Sequence, residues 1–310
     1  MDNLCHTLVG AAFGEAGLKR TTRFGSATLM IASNIPDIDV LIFATPVPSV
    51  VFRRGWTHGP IADALLPIAL TGIMMAVAKR RPAKADDPPF RPWWILLLSY
   101  IGVLCHIALD ATNPYGLRFL APFDWRWFYV DALYIIDPWM WLMLGAGVWW
   151  ARRSKMPAAA HVALVACAVY VSVMVVSVRM AREIVIDAWR ASHAGSPMKL
   201  MVGPVPGTPL RRDVVIDAGD RYETGTFRWL PARVQLDSES VPKNDRDARV
   251  AIAREAPAIA GFLVWSRFPF WTFEPVPGGT RVTVSDLRFA GQTPARFVAS
   301  TVVSDRRIRR

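Results

Sequence analysis

The sequence predicts a mainly α-helical, polytopic membrane domain followed by a small extracytoplasmic α+β domain. The 310-residue chain is 53% hydrophobic, and its mean hydropathy of +0.26 is high for a soluble protein. Long apolar runs fill residues 1–180, whereas residues 181–310 have the composition of an ordinary soluble domain. We therefore divide the chain into a helical transmembrane domain at 1–180 and an α+β domain at 181–310.

Long apolar segments predict the membrane helices. They lie at residues 61–78, 93–109, 133–150 and 158–178. Each is close to the roughly 20 residues that a bilayer core requires. The alternative is that these segments are buried helices of a large soluble protein. That alternative would require four separate apolar helices without an amphipathic pattern. Two shorter runs, at 4–18 and 24–35, predict a helical hairpin. The first run lacks the basic start and cleavage site of a signal peptide.

Clusters of Lys and Arg predict the topology. They lie at residues 19–23, 79–91 and 152–155, at the ends of apolar runs, and should therefore be cytoplasmic. Alternate crossings then bring every candidate ligand described below to the outer face, together with the chain after residue 181. The net charge of +11 also raises the alternative of a nucleic-acid binder, but these cations do not line one face of a folded domain. We expect no nucleic-acid partner.

The α+β prediction rests on strand and turn patterns after residue 181. Residues 211–216 with 222–229, and 268–274 with 280–289, read as two strand pairs around glycine-containing turns. Residues 245–263 predict one amphipathic helix.

Histidines and aspartates at the ends of apolar runs form the candidate metal site, since unpaired ionisable groups are costly there. The predicted ligands are His6, Asp37, Asp39, His58, His106 and Asp110. His106 and Asp110 are four residues apart and so share one helix face. Asp37 and Asp39 follow Pro36, and in an extended segment they would point the same way. The alternative for Asp110 is a helix-end carboxylate that is hydrogen-bonded to His106. The alternative for Asp37 and Asp39 is an Asx turn or a cap on the next helix.

The order of these motifs resembles a known family. Asn34-Ile35-Pro36-Asp37-Ile38-Asp39, then Arg54-Gly55-Trp56-Thr57-His58, then His106 with Asp110, and finally Gly116 and residues 120–123 follow one another. This resembles the YdjM-like (DUF457) inner-membrane, metal-dependent hydrolases over residues 1–150. The resemblance implies a multi-pass protein of the bacterial inner membrane with hydrolytic chemistry. Gly59 departs from the pattern, because a serine commonly follows the histidine.

The ligand order is also similar to that of zinc-dependent phospholipase C and related single-strand nucleases. Those enzymes also use a His-x-x-x-Glu pair, which this sequence lacks. The resemblance therefore implies one or two metals, with Asp131 or Asp137 as a possible extra carboxylate.

These residues predict a hydrolase that uses a divalent metal, zinc in the first place and manganese or magnesium as alternatives. Asp39 or Asp110 is the predicted catalytic carboxylate, which would orient the attacking water or take its proton. A site at the outer headgroup level favours an ester or phosphoester of a membrane lipid or lipid-linked substrate. Arg53, Arg54 and Arg118 are candidates for binding substrate phosphate, and the alternative is simple contact with anionic lipid headgroups. The alternatives are a metal-stabilised scaffold and an ion transporter.

Overall fold

The computed structural model describes residues 1–45, 49–193, 197–290 and 297–304. These form two compact units, of which the first comprises Met1–Val40, Arg54–Val178 and Pro204–Pro209. The second comprises Leu41–Arg53, Arg179–Gly203 and Leu210–Arg310.

Helices build the N-terminal part of the chain. They are α1 (Asn3–Glu15), α2 (Gly25–Ala32), a 3-10 helix (Ile35–Ala44), α3 (Ser49–Phe52), a short 3-10 turn (Trp56–His58), α4 (Pro60–Arg80), α5 (Pro92–Asp110), α6 (Pro138–Ser154) and α7 (Ala158–Ser192). Proline occupies the first turn of α4, α5 and α6, where its missing N–H costs nothing. The Asp2 carboxylate caps α1 by accepting the N–H groups of Leu4 and Cys5.

Within the described residues, three helices are long and apolar enough to cross a membrane: α4, α5 and α7. Helix α2 and the 3-10 helix that follows it would form a fourth span bent by 50°. Large apolar side chains on α7 are exposed, among them Val162, Val165 and Val169, which is the surface that lipid would cover. The prediction of a polytopic helical membrane domain is confirmed at this level.

Helix α6 differs from its prediction at both ends. It begins at Pro138 instead of residue 133, because the Asp137 side chain caps it by accepting the N–H groups of Trp139 and Met140. It has 17 residues and ends in Arg152 and Arg153, and it is not among the three long apolar helices. Helix α7 is longer than predicted and continues to Ser192.

Polar contacts at both ends align α6 with α1. Trp141 Nε1 donates to Asp2 Oδ2 over 3.1 Å at one end, and Arg152 Nε donates to Glu15 Oε1 over 2.9 Å at the other. Helix α6 therefore runs beside α1 from Asp2 to Glu15.

Two antiparallel sheets dominate the C-terminal part of the chain. The first has the order β1 (Lys199–Val205), β2 (Thr208–Asp217), β3 (Arg221–Trp229) and β4 (Ala232–Pro242). The second has the order β5 (Pro269–Val276), β6 (Gly279–Asp286) and β7 (Val298–Ser304). The predicted strand pairs correspond to β2 with β3 and to β5 with β6.

The helical prediction for residues 245–263 is wrong in one respect. Two short helices, α8 (Ala248–Ala253) and α9 (Pro257–Trp265), occupy this stretch. Proline at 257 starts the second helix, since it offers no N–H to continue the first and its ring clashes with the preceding turn.

A buried ion pair fixes the loop after α9. Arg288 Nε lies 2.8 Å from Asp286 Oδ1, and both side chains are fully buried. Asp286 Oδ2 also accepts the Ser266 hydroxyl over 2.7 Å. Burial by itself would raise the pKa of Asp286, but the charge and hydrogen bonds of Arg288 and Ser266 hold it below its ordinary value.

Candidate metal centre

Four side chains of the first unit converge into one buried cluster. Among the described residues, Asp37, His58, His106 and Asp110 each offer a ligand atom within 4.8 Å of the others. The Nε2 atoms of His58 and His106 are 3.3 Å apart. Asp110 Oδ2 lies 3.5 Å from the first and 3.6 Å from the second. Asp37 Oδ1 lies 4.0 Å from each.

Helix α5 supplies two of these groups, and its close approach to α2 orients one of them. His106 and Asp110 lie one helical turn apart, as their spacing predicted. Gly102 lies one turn before His106, where an added Cβ would come within 2.5 Å of the Ala32 Cβ. Because glycine at this position lets α2 and α5 approach closely, His106 Nδ1 lies within hydrogen-bond distance, 2.8 Å, of the Ser33 carbonyl oxygen. Because a carbonyl only accepts, Nδ1 carries the proton and Nε2 is left as an acceptor.

We expect Gly102→Ala to loosen the metal centre. The new methyl group must push α2 and α5 apart, which should lower the free energy of unfolding by about 1–3 kcal/mol. The His106–Ser33 hydrogen bond should lengthen, and metal affinity should fall by roughly 10-fold. Thermal unfolding and metal titration in detergent measure both effects.

Gly145→Ala is the matched control, because Gly145 lies in α6 with open space around the position of its missing Cβ. That change should leave metal affinity unaltered and stability equal or slightly higher. Equal losses of metal affinity in the two variants would contradict the role given to the α2–α5 contact.

His58 is oriented by a second set of hydrogen bonds. Thr57 Oγ1 donates to Asp39 Oδ2 over 3.3 Å and lies 2.9 Å from His58 Nδ1. Since the hydroxyl proton goes to the carboxylate, its oxygen accepts from His58 Nδ1. The Nε2 atom of His58 is then an acceptor too, and it faces the Nε2 atom of His106.

Asp39 serves this second set and lies outside the group of four. Its Oδ2 atom accepts the Arg54 backbone N–H over 2.8 Å and lies 3.7 Å from His58 Nδ1. Asp37 approaches the Nε2 side of the same ring. The prediction that Asp37 and Asp39 point the same way is wrong, because this segment is a 3-10 helix with three residues per turn, in which side chains two apart diverge.

The chemistry of the four groups fits a divalent cation. Two imidazole Nε2 acceptors and two carboxylate oxygens meet in a buried space, where acceptors repel unless positive charge lies among them. Asp110 Oδ2 receives no well-aligned hydrogen bond from the described residues, although Arg54 Nη2 lies 3.0 Å from it. Imidazole and carboxylate together form a donor set that zinc binds and that manganese also accepts. His58, His106, Asp37 and Asp110 are therefore the residues that would hold the ion.

Positive groups of the protein partly balance Asp110. Arg54 Nη2 lies 3.0 Å from Asp110 Oδ2, and Arg54 Nη1 donates to Asn113 Oδ1 over 2.9 Å. The Met1 α-amino group contacts Asp110 Oδ1. Arg54, predicted as a phosphate ligand, is thus held by the cluster itself.

The other two predicted phosphate ligands pack against aromatic rings. The buried Arg118 guanidinium lies 5.0 Å and 4.7 Å from the ring centroids of Trp125 and Trp127, in cation–π contact. Arg53 lies 5.5 Å from the Phe43 ring centroid.

His6 borders the cluster without belonging to the group of four. Its Nε2 atom lies 3.3 Å from Asp110 Oδ1, and its ring stacks on His106 with centroids 3.9 Å apart. The two carboxylates considered as extra ligands lie elsewhere: Asp137 caps α6 and accepts the Tyr170 hydroxyl over 3.0 Å, and Asp131 is buried but is not one of the four.

Backbone packing accounts for the departure at Gly59. A Cβ at this position would lie 2.0 Å from the Ala121 carbonyl oxygen. A serine would therefore displace the turn that carries Ala121. Sequence reasoning did not foresee this contact, nor the roles of Ser33 and Asn113. The Asn113 side chain gave no signal, and the Ser33 contribution comes from its backbone.

An apolar groove leads to the cluster at Asp37. It encloses about 470 Å³ and is lined by Asn3, Met30, Ile31, Asn34, Ile35, Asp37 and Ile38. Asp37 is 8% exposed, whereas His58, His106 and Asp110 are fully buried. Within the described residues, the buried Asn34 Oδ1 in this groove has no hydrogen-bond partner.

Comparisons with known proteins identify the family of this chain. The profile of the YdjM inner membrane protein family matches residues 1–181. The uncharacterized protein YfhP of Bacillus subtilis (strain 168) is 23% identical over 315 residues, covering 96% of this chain and 90% of that protein. No solved structure matches. Because the family profile covers more than half of the chain and all four clustered residues, the protein belongs to the YdjM inner membrane protein family.

Proposed function

We propose that this membrane protein is a metal-dependent hydrolase acting on an ester or phosphoester of a lipid or lipid-linked substrate. The observation that carries the proposal is the buried Asp37, His58, His106 and Asp110 cluster at the end of an apolar groove. When bound there, a zinc or similar ion would supply Lewis acidity and a water of lowered pKa.

The protein's own groups support this chemistry by fixing the donors beforehand. Ser33 and Thr57 hold the two imidazole rings with their Nε2 atoms turned inward. Asp39 supports Thr57 and the Arg54 backbone. We therefore assign to Asp39 a positioning role instead of the proton-accepting role that sequence reasoning gave it. Such outer contacts are worth about 10- to 100-fold in metal affinity or activity.

The groove supports the choice of an apolar substrate. Ile31 and Ile38 line it and are 45% and 49% exposed, so an acyl or prenyl chain would find apolar contacts there. Asp37 is the ligand that a substrate would reach first.

A scaffold whose metal only stabilises helices is the second candidate. The Asp110 carboxylate contacts Arg54, His6 and the Met1 α-amino group, and such a network also ties segments together. An ion transporter finds less support, because the ionisable groups of α5 gather at His106 and Asp110 and are not spread along its length.

We expect Asp37→Asn to abolish hydrolysis while leaving the fold intact. The substitution keeps the shape of the side chain and removes one charged ligand at the partly exposed side of the cluster. The test is a screen of lipid phosphoesters and carboxylic esters in nanodiscs, with zinc or manganese added and with chelator. Asp213→Asn in the C-terminal sheet is the matched control. Chelator-insensitive activity, or equal activity in Asp37→Asn and wild type, would contradict the proposal.

We further propose that the C-terminal domain lies outside the cytoplasm. Helix α6 starts beside Asp2 and ends beside Glu15, and α7 returns far enough for Tyr170 to bond Asp137. This direction of the chain supports two further crossings by α6 and α7.

Reporter fusions test this topology. Fusions after residues 85 and 154 should report the cytoplasm, and a fusion at the C-terminus should report the outside. A cytoplasmic C-terminus would contradict the pair of crossings proposed for α6 and α7.

A further inference from the structure

Two adjoining pockets lie in the first unit, away from the metal centre. The smaller encloses about 220 Å³, and its charged lining residues are Glu15, Lys19, Arg20, Arg152 and Lys155. The larger encloses about 570 Å³, shares Lys19 and Arg20, and adds Arg23, Asp86 and Asp87.

These pockets are at the opposite end of the helices that carry the metal ligands. Helix α1 runs from His6 beside Asp110 to Glu15 in the smaller pocket. Helix α5 starts next to Thr22 of the larger pocket, where Arg91 N donates to Thr22 Oγ1 over 2.9 Å. His106 follows fourteen residues into the helix, a rise of about 20 Å. The pockets thus lie at the membrane face that the basic clusters mark as cytoplasmic.

The smaller pocket holds an excess of positive charge. Lys19 and Arg152 both pair with Glu15, the latter over 2.9 Å. Arg20 and Lys155 are exposed, and neither has a carboxylate partner within the described part of the chain. Four basic side chains therefore face a single carboxylate. Pro157 also lines the pocket, so the N-terminal end of the long helix α7 adds a positive dipole.

The surroundings of the pocket are apolar. Trp149 and Trp150, just before the pocket residue Ala151, are 63% and 61% exposed. On α7, Val162 and Val165 follow Pro157 within two turns and are also exposed. Tryptophans at the headgroup level with aliphatic side chains deeper in the bilayer are the surroundings of a bound phospholipid.

We propose that the smaller pocket binds the phosphate of an anionic phospholipid headgroup, with Arg20 and Lys155 as its principal ligands. Charge-assisted hydrogen bonds from these two groups and from Arg152 would hold the phosphate oxygens. The acyl chains would lie along the apolar surfaces of α6 and α7. This site is separate from the metal centre and does not depend on the proposed hydrolase.

Lipid-dependent thermal unfolding of the full chain in detergent tests the proposal. Phosphatidylglycerol should raise the melting temperature of wild type by about 5 °C, and phosphatidylcholine should not. The double variant Arg20→Gln/Lys155→Gln should lose this shift. Lys79→Gln/Arg80→Gln is the matched control, since it removes the same charge from exposed residues at the end of α4 that line neither pocket.

Three results would overturn the proposal. An undiminished phosphatidylglycerol shift in the Arg20/Lys155 variant would remove the pocket as the site. An equal loss in the Lys79/Arg80 control would indicate general charge attraction. An equal shift with inorganic phosphate at the same concentration would identify a free anion as the ligand. The charge-keeping variant Arg20→Lys/Lys155→Arg should retain most of the shift, which separates a loss of charge from a folding defect.

Discussion

His106→Ala should abolish metal binding and, with it, hydrolysis. His106 is fully buried, and its Nε2 atom lies within 4.0 Å of the other three members of the cluster. Loss of a direct ligand should weaken metal binding by more than the roughly 100-fold that an outer contact can cost. Metal analysis of the purified protein, beside an activity assay, measures both effects.

His161→Ala is the matched control for that experiment. His161 is an exposed histidine of α7 whose Nδ1 atom lies 3.0 Å from the Pro157 carbonyl. Metal content and activity should equal those of wild type in this variant. Full metal occupancy in His106→Ala would contradict the assignment of the cluster as a metal site.

Much of the membrane domain could be predicted because its signals are local. A run of apolar residues near the length of a bilayer crossing identifies a helix without knowledge of its neighbours, and α4, α5 and α7 follow this rule. The spacing of His106 and Asp110 was equally local, since side chains four apart share a helix face. The ends of the helices were less predictable. The Asp137 cap moves the start of α6 from the predicted residue 133 to Pro138. Helix α7 continues to Ser192 because no comparable signal ends it at the predicted residue 178.

The interior of the site could not be predicted in the same way. Which imidazole nitrogen faces inward depends on Ser33 and Thr57, and these contacts arise only when separate segments pack. The directions of the Asp37 and Asp39 side chains depend on a 3-10 helix. Pro36 had instead suggested an extended backbone for this segment. Gly102 and Gly59 act through close backbone approach, which a sequence does not display. The strands β1, β4 and β7 were also not predicted, although Val234 and Leu236 alternate with polar residues in β4.

The structure changes what is expected of Asp110→Asn. Because asparagine has the shape of aspartate, this swap by itself would preserve the fold and remove only one ligand charge. Here, Asp110 pairs with the buried Arg54 at 3.0 Å, so the variant leaves a guanidinium without its partner. Breaking a buried pair in this way costs about 3–5 kcal/mol. The single variant should therefore lose both activity and stability, and alone it does not separate a hydrolase from a scaffold.

Adding Arg54→Gln to Asp110→Asn separates a hydrolase from a scaffold. The double variant removes both charges, so no guanidinium is left buried without its partner. Relative to Asp110→Asn, it should therefore recover roughly half or more of the lost free energy of unfolding, since the two residues are energetically coupled. It should still lack hydrolase activity, because the metal ligand is not restored.

If the metal only holds helices together, the double variant should stay as unstable as the single one, and chelator should destabilise wild type to the same extent. Thermal unfolding of the four proteins, with and without chelator and beside the activity assay, measures the cycle. Activity in the double variant would contradict the catalytic role of Asp110.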